Sequence, residues 1–348
     1  MAGVENRRRG LTLEEIGERA GVSRSTVSRV LNDQENVRED VRARVQAVIA
    51  ETGYRPNPAA RALVSNRSGL IGLVVLTDVD ELFGDPYYSE LVSGIQQGCA
   101  EHELIFTIVP VPRPTGQSDT LAPQLAQGLF DGVIVTAGPR SAHLISGLRD
   151  LGMRIVVIGQ PDDDDQLLRV DVENRLGSRA AVRHLIEDGY ERIGFVGPTS
   201  EFRFGVERLA GYGDALIEAG RDSDDQLVRR AAPTEDGGHS ATLSLLAERP
   251  DAIFVSTDPM AAGAYQALAE RGLRIPDDVA IIGFDGLPRQ ASLDPPLSTV
   301  VQPVAEVGRI AVGLLAAEGD DSGNVILPTS LRLAGSCDRR DDVAHLVT

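Results

Sequence analysis

The chain has 348 residues, 42% hydrophobic and 25% charged, enough for two or three domains with full cores. A net charge of −18 argues against a polyanionic partner for the molecule as a whole, and no apolar run reaches the length of a membrane span. Its 2 cysteines, Cys99 and Cys337, offer neither a disulfide framework nor a metal-ligand spacing, which fits a reducing cytosol.

Charge is unevenly spread. Residues 1–68 hold 12 arginines against 9 acidic residues, so this part carries +3 and the remainder −21. A basic head on an acidic body can attract DNA locally while the body suppresses unspecific binding. The chain contains no lysine, so every cationic contact to a phosphate must come from arginine. Residues 1–10 are polar with Arg7, Arg8 and Arg9 and lack the apolar core of a signal peptide. They read as a loose basic arm, and the chain is expected to stay inside a bacterial cell.

From Thr12 the pattern becomes helical. Thr12 and Glu15 form a T-x-x-E capping box that opens a short helix with Leu13, Ile16 and Ala20 on its apolar side. Gly21 ends that helix in a tight turn, and Ser23 caps a second helix to about Leu31, with Val27, Val30 and Leu31 inward. A third helix is expected from about Glu39 to Thr52, burying Val41, Val45, Val48 and Ile49 and stopping at Gly53. Three short helices with a glycine turn between the first two make a helix-turn-helix. The outer face of the second helix carries Arg24, Ser25, Ser28 and Arg29 on adjacent turns, the arrangement a helix needs in a major groove, where arginine forks onto guanine. A small solvated bundle with idle arginines is the alternative on these residues alone.

Pro56 and Pro58 then break the chain, and Pro58 opens a segment to Leu63 of barely two helical turns, too short to hold in water by itself. The stretches TLEEIGERAGVSRSTVSRVLN, VRARV and TGYRPNPAARAL together resemble the lactose-repressor (LacI/GalR) family over more than fifty consecutive positions. The resemblance implies a hinge helix that pairs with its mate in the minor groove, with Leu63 as the wedge between base pairs. It also implies that Arg24, Ser25 and Arg29 read bases, that Thr12, Ser23, Thr26, Ser28, Asn32 and Asn36 hold phosphates, and that Asn57, Ala60 and Leu63 contact the minor groove. Arg38 stands where the family usually has a capping serine; the cap of the third helix is expected to be weak, with Arg38 turned to phosphate.

Beyond Ser68, short apolar runs alternate with helical patterns: 70–76, 104–111, 132–136, 154–158, 192–196, 252–256 and 279–282 as strands, and about 87–101, 141–151, 175–188, 206–219, 260–271 and 304–317 as helices. Continuous Val/Ile/Leu strands of this kind belong to parallel sheets covered on both faces. The body also repeats itself: Ile71-Gly72 returns as Ile193-Gly194 at an offset of 122, Asp131 as Asp251 at 120, and Ile158-Gly159 as Ile282-Gly283 at 124. Two similar doubly wound α/β halves follow, with a ligand expected between them at the carboxyl ends of the strands. This agrees with the resemblance, which implies a periplasmic-binding-protein-like (type I) body whose chain crosses between halves three times.

The fold class is therefore an all-α helix-turn-helix head on an α/β body of two parallel-sheet subdomains. The expected divisions are 1–56 for the head, 57–68 for hinge and linker, 69–340 for the effector and dimerisation body, and 341–348 for a tail. Crossings near 168, 297 and 323 give one subdomain of about 69–168 and 298–322, and another of about 169–296 and 323–340.

Strand-end residues are the candidate ligand groups. Arg208 and Asp285 match the family's effector-binding arginine and aspartate, and an arginine fork facing a carboxylate brackets neighbouring hydroxyls, as a sugar requires. The alternatives are that Arg208 pairs with Glu207 and that Asp285 only caps its loop. Asp78, Asp85, Tyr87, Tyr88, Gln160, Phe202, Thr257 and Asp258 complete the set. Tyr87 and Tyr88 are expected to divide between core and cleft, and with no Trp in the chain any stacking falls to these two, Phe202 or Phe204. Gly159 and Gln160 depart from the family's usual Asp and Arg. The Asp162–Asp165 run lacks the spacing and glycine turn of a calcium loop, no H-E-x-x-H, G-x-S-x-G or P-loop occurs, and neither a cofactor nor catalysis is expected.

These readings converge on a homodimeric regulator, most simply a repressor, that binds a palindromic double-stranded operator under control of a small effector, a sugar or sugar derivative. An activator or global regulator sensing a nucleobase or partner protein, a sugar-transport protein and an enzyme are the alternatives. Whether the effector releases or strengthens DNA binding stays open.

Overall fold

The computed structural model describes residues 11–31, 34, 36–54, 68–111, 121–139, 141–160, 167–288, 292–317 and 323–338. Asn32, the hinge residues Asn57, Ala60 and Leu63, the Asp162–Asp165 run and the tail from 341 lie outside them. The chain divides into two compact units, 1–68 and 69–348.

Among the described residues of the first unit there are three helices, α1 (Leu13–Ala20), α2 (Arg24–Leu31) and α3 (Glu39–Thr52). The capping box is present in both directions: the Glu15 amide donates to Thr12 Oγ1 at 3.3 Å, and the Thr12 amide donates to Glu15 Oε2 at 2.6 Å. Gly21 takes a left-handed φ of 68°, which a side-chain-bearing residue would resist, and so turns α1 into α2. Ile16, Ala20, Val27, Val30 and Val45 form the buried centre, with Val48, Ile49 and Tyr54 packed against it. Arg38 precedes α3 without a side-chain cap.

Among its described residues the second unit holds twelve strands: β1 (Leu70–Val75), β2 (Ile105–Pro110), β3 (Gly132–Thr136), β4 (Ile155–Ile158), β5 (Leu168–Val172), β6 (Ile193–Pro198), β7 (Val228–Ala231), β8 (Ala252–Val255), β9 (Ala280–Asp285), β10 (Ser298–Val301), β11 (Asn324–Leu327) and β12 (Ser330–Arg332). Its helices are α4 (Val79–Gly84), α5 (Pro86–Glu101), α6 (Leu121–Leu125), α7 (Ser141–Asp150), α8 (Asn174–Glu187), α9 (Arg203–Glu218), α10 (Glu235–Leu245), α11 (Asp258–Glu270) and α12 (Val304–Ala316). Two six-stranded sheets form, ordered β2-β1-β3-β4-β5-β11 and β7-β6-β8-β9-β10-β12. The orders correspond strand for strand, which is the structural form of the sequence echo. All pairings are parallel except β10 with β12.

The crossings differ from the expected positions. β5 pairs with β4 and so stays in the first sheet, while β10 pairs with β9 in the second and β11 with β5 in the first. The chain therefore crosses after Val172, after Val301 and after Leu327, each a few residues later than the expected 168, 297 and 323. The short strands that adjoin each crossing shift these boundaries. α12 packs on α5 and on β3, β4 and β5, and so belongs to the first half.

Helices approach closely where glycines face one another. A Cβ on Gly94 of α5 would overlap the Ala305 carbonyl of α12, and one on Gly211 of α9 would overlap the Arg175 carbonyl of α8. Close packing of these pairs holds each sheet's outer layer rigid, which fixes the strand ends where the site lies.

Candidate functional site

Two faces carry the predicted chemistry, one in each unit. In the first unit, Ser23 caps α2 by accepting the Thr26 amide at 3.2 Å, and its hydroxyl lies within 2.9 Å of the Ser25 and Thr26 hydroxyls. Arg24, Ser25 and Arg29 are exposed, as a reading face must be. Arg24 pairs with Glu14 at 3.1 Å, but both side chains are more than half exposed. Such a pair contributes about 0.2–1 kcal/mol, less than a fork onto guanine gives, so it does not hold Arg24 from a base. Arg38 forks onto Asp40 at 3.0 and 3.1 Å, so its turn to phosphate would require leaving that carboxylate. Asn36 is exposed and Ser28 and Thr26 are half-buried.

In the second unit the polar cluster forms around Arg208, which α9 carries into the space at the ends of β6, β8 and β9. The guanidinium is buried, lies 3.6 Å from the centre of the Phe284 ring and 4.8 Å from that of Phe204, and is held at three points. Nε donates to Asn174 Oδ1 at 2.9 Å, and Nη1 donates to the Ser256 carbonyl at 2.5 Å and to Asp285 Oδ1 at 3.0 Å. Among the described residues Nη2 donates to no protein acceptor. Burial lowers the Arg208 pKa and the charge of Asp285 opposes that shift. Glu207, the alternative partner, pairs with Arg203 at 3.7 Å.

Asp285 ends β9 with φ of 125°, outside the range that non-glycine residues favour. A strained backbone of this kind persists only where its surroundings fix it, and such residues concentrate at binding sites. Its carboxylate also accepts Gln302 Nε2 at 2.7 Å and the Asp258 amide at 3.2 Å. Burial raises its pKa, and Arg208 pulls it back.

Two further candidate ligand groups are engaged within the protein. Asp258 is wholly buried, with Oδ1 accepting the Thr299 hydroxyl at 2.7 Å and Oδ2 the Leu287 amide at 2.9 Å, so it braces the loop after β9. Burial, then the Asp285 charge, push it up to about 8. Thr257 is the N-cap of α11, accepting the Met260 amide at 3.3 Å. Both were read as ligand groups because a strand end and a helix cap share the same position in sequence.

From the first half, Asp85 caps α5 by accepting the Tyr87 amide at 3.0 Å. Tyr87 is in electrostatic reach of Asp285, Asp171 and Arg208, and burial raises its hydroxyl pKa. Its ring meets Tyr88 edge-on at 5.6 Å, and Tyr88 instead lines a separate hollow with Phe83, Val92 and Ile108. Phe202 and Phe204 lie 5.7 Å apart. Asp78 is exposed and Gln160 half-buried, and neither makes a hydrogen bond to the Arg208 cluster.

The sequence reading missed Asn174, Gln302 and Asp171. Asn174 Nδ2 donates to Asp171 Oδ1 at 3.0 Å while its Oδ1 accepts Arg208. Asn174 and Gln302 stand at the first and second crossings, so the strands of both halves and two of the three connections meet in one hydrogen-bonded chain. No local motif marks them; only the sheet pairing that places the crossings brings them to the site.

Burial pushes Asp85 up to about 6, opposed by the Tyr87 amide and reinforced by the charges of Asp285 and Glu81. Between the unfolded value of 3.8 and about 6 the folded chain holds this proton more tightly, so stability falls as pH rises through that window. Asp85→Asn preserves an N-cap acceptor and removes the titration. Urea unfolding of the variant is expected to show a shallower loss between about pH 4 and 6 than the parent and greater stability at neutral pH; parallel curves would contradict the assignment.

Residues 12–57 match the family described as bacterial regulatory proteins, lacI family, and residues 182–337 match the periplasmic binding protein-like domain. The chain is 35% identical over 338 residues to the HTH-type transcriptional regulator CelR of Thermobifida fusca, covering 95% of this chain and 99% of that one. Among solved structures it resembles a transcriptional regulator CelR–cellobiose complex (TM-score 0.74, 33% identity, 94% and 99% covered). It also resembles the lac repressor dimer bound to operator and the anti-inducer ONPF (TM-score 0.80, 26% identity, 94% and 99% covered).

Proposed function

Because the chain belongs to the lacI family of bacterial regulatory proteins, we propose that it is a transcriptional repressor whose dimer holds a palindromic operator until a sugar enters the cleft of the body. The single observation that carries the ligand reading is the buried Arg208, fixed by Asn174, Ser256 and Asp285 but with Nη2 donating to no acceptor among the described residues. An anchored guanidinium beside a carboxylate offers donors and acceptors at the spacing of adjacent hydroxyls, and the aromatic rings of Phe202, Phe204 and Tyr87 lie around it for the apolar face of a sugar ring. The likeness to a CelR–cellobiose complex makes cellobiose the first ligand to test.

Arg24, Ser25 and Arg29 are proposed to meet base edges, with Thr12, Ser23, Thr26, Ser28, Asn32 and Asn36 on phosphates, and Asn57, Ala60 and Leu63 in the minor groove. One recognition helix spans a single half-site, which is why two copies are required. A sugar that draws on Nη2 pulls on Asn174 and, through Asp285, on Gln302, so it acts directly on the crossings that set how the two halves close. The differential grip on closed and open forms is the coupling to DNA, typically about 1–3 kcal/mol.

A thermal-shift panel of glucose, cellobiose, ribose and nucleosides on the full chain tests this reading. A rise with one sugar, growing with concentration, is expected. A response to nucleosides alone would favour the alternative regulator that senses a nucleobase.

A further inference from the structure

At the far end of the second half, away from the cleft, the last turn of α8 meets the end of the described chain. His184 sits in that turn, Asp188 follows it, and Cys337 and Asp338 come after β12. Ligating atoms of His184, Cys337 and Asp338 all lie within 4.8 Å of one another. His184 Nε2 is 3.6 Å from Cys337 Sγ and 3.3 Å from Asp188 Oδ2. One imidazole nitrogen carries at most one proton, yet this one faces a sulfur and a carboxylate at once, with a second carboxylate close by.

A metal ion satisfies all of these groups together. With bonds of about 2.3 Å to sulfur and about 2.0–2.1 Å to nitrogen and oxygen, a tetrahedral site has a sulfur–nitrogen edge of about 3.6 Å and a nitrogen–oxygen edge of about 3.3 Å. The His184–Cys337 separation of 3.6 Å matches the first edge, and the Asp338 carboxylate lies within 4.8 Å of both ligand atoms. Mixed thiolate, imidazole and carboxylate ligation suits zinc rather than magnesium or calcium. The position also suits a cation, since the C-terminal turn of α8 presents the negative end of its dipole.

The surroundings are fixed. The Tyr190 hydroxyl donates to the Cys337 carbonyl at 3.0 Å, and Ser298 Oγ lies 3.1 Å from Cys337 Sγ. Ser336, the preceding residue, donates through Oγ to the Ile281 carbonyl at 2.6 Å and accepts the Ser298 amide at 2.8 Å. The sulfur is thus held on β9 and β10 while the half-exposed His184 and exposed Asp338 leave an approach from solvent. The Cys337 side chain itself is buried.

We propose that His184, Cys337 and Asp338, with Asp188 at the rim, form a zinc site that clips the end of the chain to α8. Ligation joins residues 153 positions apart in sequence and replaces the thiol proton, which is released to solvent.

Untagged full-length protein, stripped by chelator and reloaded with Co²⁺, provides the test. The expected spectrum has tetrahedral cobalt bands and a sulfur-to-cobalt charge-transfer band, retained in Cys99→Ser and lost in Cys337→Ser. In competition titrations His184→Gln is expected to weaken Zn²⁺ binding by more than the about 10–100-fold that losing a supporting partner typically costs. Its partly exposed side chain lets this variant report on the site even where Cys337→Ser disturbs the core. Failure of the parent to retain cobalt after desalting would overturn the proposal. So would a charge-transfer band unchanged in Cys337→Ser, or zinc affinity unchanged in His184→Gln.

Discussion

Arg208→Met is expected to abolish the sugar response and to destabilise the body by about 3–5 kcal/mol, the usual cost of leaving one partner of a buried ion pair without its counter-charge. The stranded group is Asp285, buried and bonded to Arg208 at 3.0 Å. Adding Asp285→Asn removes that stranded charge, so the double variant should recover much of the loss in urea unfolding while still failing to bind sugar. The two readouts separate structure from function: stability returns and the ligand response does not. A single variant that still shifts with sugar would place the ligand elsewhere. A double variant no more stable than the single would mean that Asp285 is neutral in the folded chain.

The second large effect belongs to α2. Arg24→Ala removes one fork onto a base in each half-site, about 1–3 kcal/mol apiece. In a dimer the loss counts twice, so affinity for the operator should fall by about 30-fold to about 20,000-fold. Preference at one base pair per half-site should relax at the same time, with unspecific binding nearly unchanged. Competition of operators altered base by base measures both. A uniform loss on every sequence, with a salt slope smaller by about one per contact removed, would instead make Arg24 a phosphate contact. The pair with Glu14 does not mask the result, because it is exposed and weak.

Much of the architecture was legible before any coordinates because its signals are local. The Thr12–Glu15 box and Gly21 settle the first two helices within ten residues, and both act as read. Buried central strands such as β1, β6 and β8 announce themselves as unbroken apolar runs. β5, β7, β10, β11 and β12 do not: each has five residues or fewer, and most carry polar side chains at sheet edges or near crossings. The second and third crossings were misplaced because β10 and β11 pass unnoticed, and the first because β5 does. α10 was hidden for a related reason, since Gly237 and Gly238 weaken its helical pattern while serving close packing against neighbouring backbone.

The site divides in the same way. Arg208 and Asp285 are recognisable from their surrounding residues, and the structure brings them together. Asn174 and Gln302 have no motif; their importance arises only from sitting where the chain changes sheets. Asp258, a carboxylate at a strand end, has a bracing role that no motif announces: its two oxygens accept Thr299 and Leu287. His184 and Cys337 lie 153 residues apart with no ligand spacing, so only the fold joins them.

The most direct test of the central claim is reciprocal linkage between the two units. Operator affinity should be measured at rising sugar concentration, and sugar affinity with and without saturating operator. The account predicts that sugar lowers operator affinity and that operator lowers sugar affinity by the same factor, with both effects gone in Arg208→Met. Sugar binding of equal strength to free and operator-bound protein would contradict it.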